Sequence, residues 1–182
     1  MAAAYRESYG LRIATARAGN VIGGGDWAED RILPDAVRAS AAGRALVVRA
    51  PEAVRPWQHV LNPLSGYLLL AERLASSAEP AAAWNFAPAP ASEQRPVRWL
   101  VERFAAALGA ALEIEVPAGV DGPREAVRLA LDPTLAAERL GWSECWPLER
   151  GVAATAGWYR RVREGEDARA VTLEQIAEFE AA

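Results

Sequence analysis

Two stretches of this chain concentrate groups able to grip a small anionic molecule. Residues 16–27 read A-R-A-G-N-V-I-G-G-G-D-W, and residues 55–61 read R-P-W-Q-H-V-L. Each joins an apolar, strand-like run to a loop rich in groups for binding an anion or a sugar hydroxyl. The first run, Leu11 to Ala18, is bounded by Gly10 and Gly19. It has the pattern of a strand that delivers a loop to a site at its C-terminal end. In the second stretch Arg55 brings a permanent charge and Trp57 a flat face. Gln58 and His59 offer directional hydrogen bonds, and Pro56 stiffens the backbone. Together they point to a small-molecule pocket that takes phosphate.

Gly23, Gly25 and Ala28 also fit G-x-G-x-x-A after a strand, with Glu52 downstream where a dinucleotide fingerprint asks for an acid. That fingerprint needs a turn that opens directly into a helix whose N-terminus faces pyrophosphate. Here Asp26, Glu29 and Asp30 would crowd the phosphates with negative charge. The next helix signal, Pro34 as a first-turn residue, comes well after Ala28. The glycines are instead expected to permit positive φ and close passage past a neighbour. No residue is assigned to cofactor binding.

Composition narrows the chemistry further. All 20 basic residues are Arg, so no Schiff-base lysine, phosphate-loop lysine or Tyr/Lys pair exists among these residues. One Cys and one His cannot assemble a usual zinc ligand set, and no metal site or catalytic residue is assigned. A net charge of −4 argues against nucleic acid as a partner. No apolar run reaches the ~18 residues of a membrane span, and no signal peptide is visible. With a single cysteine, Cys145, a cytoplasmic location is the expectation.

The elements that must position these groups follow from periodicity and punctuation. Ala2 to Ser8 is expected to end a helix capped by Gly10. After the strand at Leu11 to Ala18 come a helix from Pro34 to about Ala42 and a strand at Ala45 to Val48. A second strand spans Gln58 to Leu61, and an apolar helix spans Leu64 to Ala75. A strand at Trp84 to Ala87, an amphipathic helix at Val97 to Leu108 and a half-exposed strand at Leu112 to Val116 follow. Asp132 and Pro133 open a helix that ends at Gly141. Two last helices are expected at Leu148 to Glu164 and Thr172 to Ala181, the latter with a Thr172/Gln175 capping box. The class is α/β, with strands too few and scattered for a complete doubly wound sheet.

The stretches 16–35 and 55–71 resemble the extended short-chain dehydrogenase/reductase group. Within that group the chain is most similar to the CDP-glucose 4,6-dehydratases. W-N-F-A-P (84–88), P-V-R-W-L-V-E (96–102), L-D-P-T-L-A-A-E-R-L-G-W (131–142), G-W-Y-R (157–160) and T-L-E-Q-I (172–176) extend the match. The resemblance implies the C-terminal, substrate-binding part of such a fold, lacking most of the Rossmann parallel sheet. Residues 1–30 would end the Rossmann half and link it onward, and residues 31–182 would form the small substrate lobe. The glycine-rich NAD loop, the Y-x-x-x-K pair and the acid that assists dehydration would lie upstream of Met1. Tyr5 does not replace that pair, because Tyr9 rather than Lys stands four positions on.

The same resemblance assigns substrate-binding roles. Asn20 matches the residue facing the diphosphate or sugar, and Arg31 to Pro34, with Leu33 and Pro34, matches a segment over the nucleotide. Arg55 matches the diphosphate clamp, for which a planar charged fork suits the chemistry. Arg124 and Glu125 fall where the group closes over the nucleotide, although many relatives have His where this chain has Arg124. Arg49 either reaches the ribose or phosphate or pairs with Glu52. Trp57 either stacks on the base or fills the core. His59 reads as a hydrogen-bonded structural residue.

The implied reaction converts CDP-glucose to CDP-4-keto-6-deoxyglucose by internal redox on NAD with loss of water. NAD is not expected to bind this chain alone, so the chain by itself would be inactive. The implied partners are a CDP-sugar and a missing or separate Rossmann half. The alternatives are a non-catalytic nucleotide-sugar-binding or partner-binding module and the non-functional remnant of a truncated gene.

Overall fold

The computed structural model describes residues 1–88, 94–117 and 126–182. In chain order, α1 (Ala2–Tyr9) leads to β1 (Thr15–Ala18) and β2 (Asn20–Ile22), then α2 (Ile32–Ala41) and β3 (Leu46–Val47). Next come β4 (Val54–Arg55), β5 (Trp57–His59), α3 (Leu61–Ser76), β6 (Ala83–Phe86) and β7 (Arg95–Pro96). The remainder is α4 (Val97–Leu108), β8 (Ile114–Glu115), a π-helical turn (Ala136–Leu140), α5 (Leu148–Arg163) and α6 (Ala168–Glu180). The class is mixed α/β, as expected.

Strand pairing explains how distant segments meet. β1 runs parallel to β6 with Thr15 opposite Ala83, and β2 runs parallel to β5 with Asn20 opposite Trp57. β3 pairs in parallel with β8, and β4 is antiparallel to β7. The two stretches singled out for their chemistry are therefore neighbouring strands. α3 connects β5 to β6, the strands that pair with β2 and β1 respectively. That helix sits close on β6 because residue 66 is glycine: a Cβ there would lie 2.2 Å from the Phe86 ring.

Two apolar clusters hold these elements. The larger joins α2, α4 and α5 through buried residues including Leu33, Leu46, Trp57, Leu100, Phe104, Val152 and Tyr159. The smaller gathers Leu70, Trp84, Phe86, Ala136, Leu140 and Trp142. Buried Asn62 stitches α3 to the start of α5: its Oδ1 accepts from Cys145 N and Trp146 N, each at 3.1 Å. Its Nδ2 donates to Trp146 O at 2.8 Å. Burying this amide among satisfied partners avoids the cost of an orphaned polar group.

Several sequence expectations need correction. The strand begins at Thr15 rather than Leu11, because Ile13 N turns back onto Leu11 O and Arg12 reaches out to Ala75 O, at 2.6 Å. Pro34 is the third residue of α2, not its first, and the helix after β5 starts at Leu61 rather than Leu64. The last helix opens at Ala168 on an Asp167 N-cap whose carboxylate accepts from Ala170 N. Thr172 therefore lies inside the helix, where its hydroxyl donates to Ala168 O, and no Thr172/Gln175 capping box forms.

Candidate functional site

β2, the loop after it, α2, β3 and the β4–β5 segment enclose a cleft of about 1040 Å³. Asn20, at the head of β2, lines it beside Trp57 and Arg55. Arg31, Leu33 and Pro34 enter from the start of α2, and Arg49 from the end of β3. Leu33 and Pro34 are buried and give that wall an apolar face. Seven of the nine residues named from sequence are thus brought around one cavity. The other two, Arg124 and Glu125, lie outside the described residues.

Charge in the cleft is asymmetric. Among the described residues, five arginines (31, 38, 44, 49 and 55) line it against three aspartates (26, 30 and 35). Arg31 pairs with Asp26 at 2.9 Å, and Arg38 with Asp35. Arg44 and Arg49 make no ion pair with any described residue. Glu52, the candidate partner of Arg49, instead accepts from Arg98 at 3.1 Å. Arg55 is buried, and its Nη1 donates to Val54 O at 2.9 Å and to Ala126 O at 2.8 Å. A cleft with surplus guanidinium groups in a chain of net charge −4 favours an anionic ligand.

Trp57 has both of the characters weighed for it. Its ring is part of the main apolar cluster and lines the cleft, and its Nε1 donates to Arg95 O at 3.2 Å. Gln58, on the opposite side of β5, donates from Nε2 to Phe86 O at 2.7 Å. His59 is buried with its Nδ1 accepting from Leu61 N at 3.4 Å, and it packs on Trp146 at 5.0 Å. Burial lowers its pKa to about 4, so the ring is neutral at neutral pH. It does not line the cleft, in agreement with a structural role.

The loop between β2 and α2 is held from both sides. Gly25 has φ +80, and a Cβ on Gly24 would lie 2.1 Å from Trp158 Cγ, so the backbone lies directly on that indole. The Asp26 carboxylate accepts from Ala28 N at 3.1 Å as well as from Arg31. Asp30 stands at φ +60, a left-handed conformation that Asp tolerates better than most residues. The glycines serve positive φ and close approach, and the loop reaches α2 only at Ile32. This geometry does not fit a dinucleotide cradle: Trp158 covers Gly24, and Asp26 and Asp30 occupy the approach to α2.

Sequence reasoning did not assign Arg38, Arg44 or the apolar lining residues Val97, Leu129 and Leu131 to the site. Arg44 follows Gly43, whose φ of +61 ends the α2 turn and re-aims the chain toward the cleft. The Gly43 stop signal was readable, but its direction was not.

Residues 1–86 match the model of the NAD dependent epimerase/dehydratase family. Across 174 residues, 95% of this chain, the sequence is 36% identical to a CDP-glucose 4,6-dehydratase of Salmonella typhimurium, covering 48% of that enzyme. Residues 1–86 belong to the NAD dependent epimerase/dehydratase family. The chain spans about half the length of the relatives it matches. Among solved members of like fold is a dTDP-glucose 4,6-dehydratase from Streptomyces venezuelae, determined with NAD and TYD bound. It is 23% identical with a TM-score of 0.74, and the match covers 90% of this chain and 48% of that one. A UDP-glucuronic acid 4-epimerase from Bacillus cereus, in complex with UDP-glucuronic acid and NAD, is 15% identical with a TM-score of 0.74. There the match covers 88% of this chain and 49% of that one. At these identities the likeness establishes the fold: the chain has the extended short-chain dehydrogenase/reductase architecture over about half of its usual extent. No helix among the described residues is long and apolar enough to cross a membrane, and no cluster of three or more His, Cys, Asp or Glu is placed to hold a metal.

Proposed function

We propose that this chain is the C-terminal, substrate-binding half of a CDP-glucose 4,6-dehydratase. The observation that carries the reading is the arginine-rich cleft in which β2 and β5 set Asn20 beside Trp57. A nucleoside diphosphate sugar offers what such a cleft takes: paired phosphates for the guanidinium groups, a flat base, and sugar hydroxyls for an amide such as Asn20. Arg49 and Arg44 supply charge not neutralised by any described carboxylate, and Arg55 supplies a buried fork whose direction is fixed by carbonyls. Leu33, Pro34 and Arg31 form the wall over the nucleotide. The 36% identity to a CDP-glucose enzyme favours cytidine as the base.

In this reading the chain binds and orients substrate, and hydride transfer belongs to a Rossmann half outside residues 1–182. No lysine is available here for the family's Tyr/Lys pair. Residues 1–30 then close the Rossmann half, and residues 31–182 form the substrate lobe. Holding a sugar against a cofactor supplied elsewhere contributes through positioning.

Calorimetric titration with CDP-glucose tests the proposal. Binding is expected, together with no conversion when NAD⁺ is added to the chain alone. Replacing both Arg44 and Arg49 by Ala should weaken binding about ten- to hundredfold, as expected for charge-assisted contacts, and less so at high salt. No heat with CDP-glucose, or binding indifferent to both arginines, would sink the assignment.

A further inference from the structure

The C-terminal helices also grip the loop between β2 and α2, and that contact has a consequence for ligand binding beyond the cleft's own walls. Tyr159 lies on α5, outside the cavity lining, yet its phenol donates a hydrogen bond to the main-chain oxygen of Asp26. Its ring takes Trp27 edge-on at 5.2 Å. Beside it, the Trp158 indole lies against Gly24 and donates from Nε1 to Thr172 Oγ1 at 2.9 Å, which ties the contact to α6. From the other side Arg38 donates to Trp27 O at 3.0 Å and to Ala28 O at 3.1 Å. The loop is thus gripped on its backbone at Gly24, Asp26, Trp27 and Ala28, while the Asp26 carboxylate holds Arg31 against the cleft.

We propose that Tyr159 is a positioning residue for the cleft: through the Asp26 carbonyl it fixes the loop whose Asp26 carboxylate sets the orientation of Arg31. The proposal rests on the cleft being the nucleotide-sugar site, but the strap itself can be tested without ligand. A phenol suits the task because it reaches the loop from a buried ring and stays a donor. Burial, then the Asp26 charge, raises its pKa to about 12, so it keeps its proton throughout the physiological range. Arg38 alone cannot replace it, since it holds Trp27 and Ala28 but not the Asp26 carbonyl.

The test uses Tyr159→Phe, which deletes one oxygen and keeps the ring against Trp27. Amide hydrogen exchange of the free chain should speed up about three- to tenfold at Ala28, whose N–H is held by Asp26, with α5 amides unchanged. CDP-glucose affinity should fall by a similar factor, and the loss should vanish in an Arg31→Ala background, while it persists in an Arg49→Ala background. Gly24→Ala, which pushes the same loop off Trp158, should produce the same exchange pattern. Unchanged Ala28 exchange in Tyr159→Phe overturns the strap whatever the ligand does. Faster exchange with unchanged affinity, or with losses additive to Arg31→Ala, overturns the positioning role. A wild-type chain that binds no CDP-glucose instead overturns the cleft assignment and, with it, the ligand half of this inference, leaving the exchange result to decide the strap.

Discussion

His59 shows how a single residue can be assigned from its surroundings. It follows Arg55, Trp57 and Gln58 in a stretch rich in chemical groups, and the sequence pattern already favoured a structural role. The structure gives the physical reason: the imidazole is sealed between β5, Trp146 and α5, where Gly151 leaves room for its Cβ. The sealing has a thermodynamic signature. An unfolded imidazole takes its proton near pH 6.5, whereas the folded one waits until about 4. Between those values the unfolded chain binds more protons. This contribution to stability is therefore complete above about 6.5 and is lost as pH falls toward 4. Between pH 7 and pH 5 the loss should reach about 2 kcal/mol. Urea denaturation at a series of pH values should show the decline, and His59→Gln should flatten it. An equally steep decline in the variant would assign the effect to other groups. Residue-level legibility was otherwise uneven. Arg55 and Asn20 could be named from sequence, but that Glu52 goes to Arg98 rather than Arg49 depends on where α4 lies, which no local pattern encodes.

Elements with their own punctuation were the readable ones. α4 runs from Val97 to Leu108 as its apolar spacing predicts, and Gly109 ends it at φ +71. α1 likewise stops at Gly10, φ +62. The last helix starts earlier than the Thr172 signal predicts: Asp167 caps it, and buried Val171 and the Trp158–Thr172 bond lie within its first turns. The helix opened by Asp132 ends at Gly141 as expected, but its last turns are π-wound over Ala136–Leu140, a state that 3.6-residue periodicity does not reveal. Packing between elements was even less legible, and Gly66 is the clearest case. Read along α3 it is an isolated glycine in a helix, a mild liability. In space it lets α3 sit on Phe86, the ring at the centre of the smaller cluster. Gly66→Ala should therefore destabilise by about 1–3 kcal/mol despite the better helix propensity of Ala, since overpacking outweighs propensity here. Chemical denaturation would measure it, and a neutral or stabilising result would mean that the helix shifts freely on β6.

At the scale of the whole molecule, the part of the fold that the sequence described as half of something larger is also the part left uncovered. Parallel strands are ordinarily buried on both faces. β1 is not: Thr15, Ala16 and Arg17 are all exposed, and among the described residues its one partner is β6. α1, eight residues long, buries none of them, and Tyr5, Tyr9 and Leu11 are exposed nearby. An isolated helix of that length is marginal in water, so its ordered form calls for a covering surface. In the proposed reading that surface is a Rossmann half. Without it, the open strand edge is a template for pairing with a second copy. The chain on its own should therefore self-associate with rising concentration in sedimentation velocity, and α1 amides should exchange close to the rate of an unfolded segment. Ala16→Lys, which places a charge on the edge strand without touching the cleft, should shift the distribution toward monomer while leaving CDP-glucose affinity unchanged. If the wild-type chain stays monomeric at high concentration with a protected α1, the edge is closed by the four-residue length and twist of β1 itself. The substrate lobe would then be independent of any covering half.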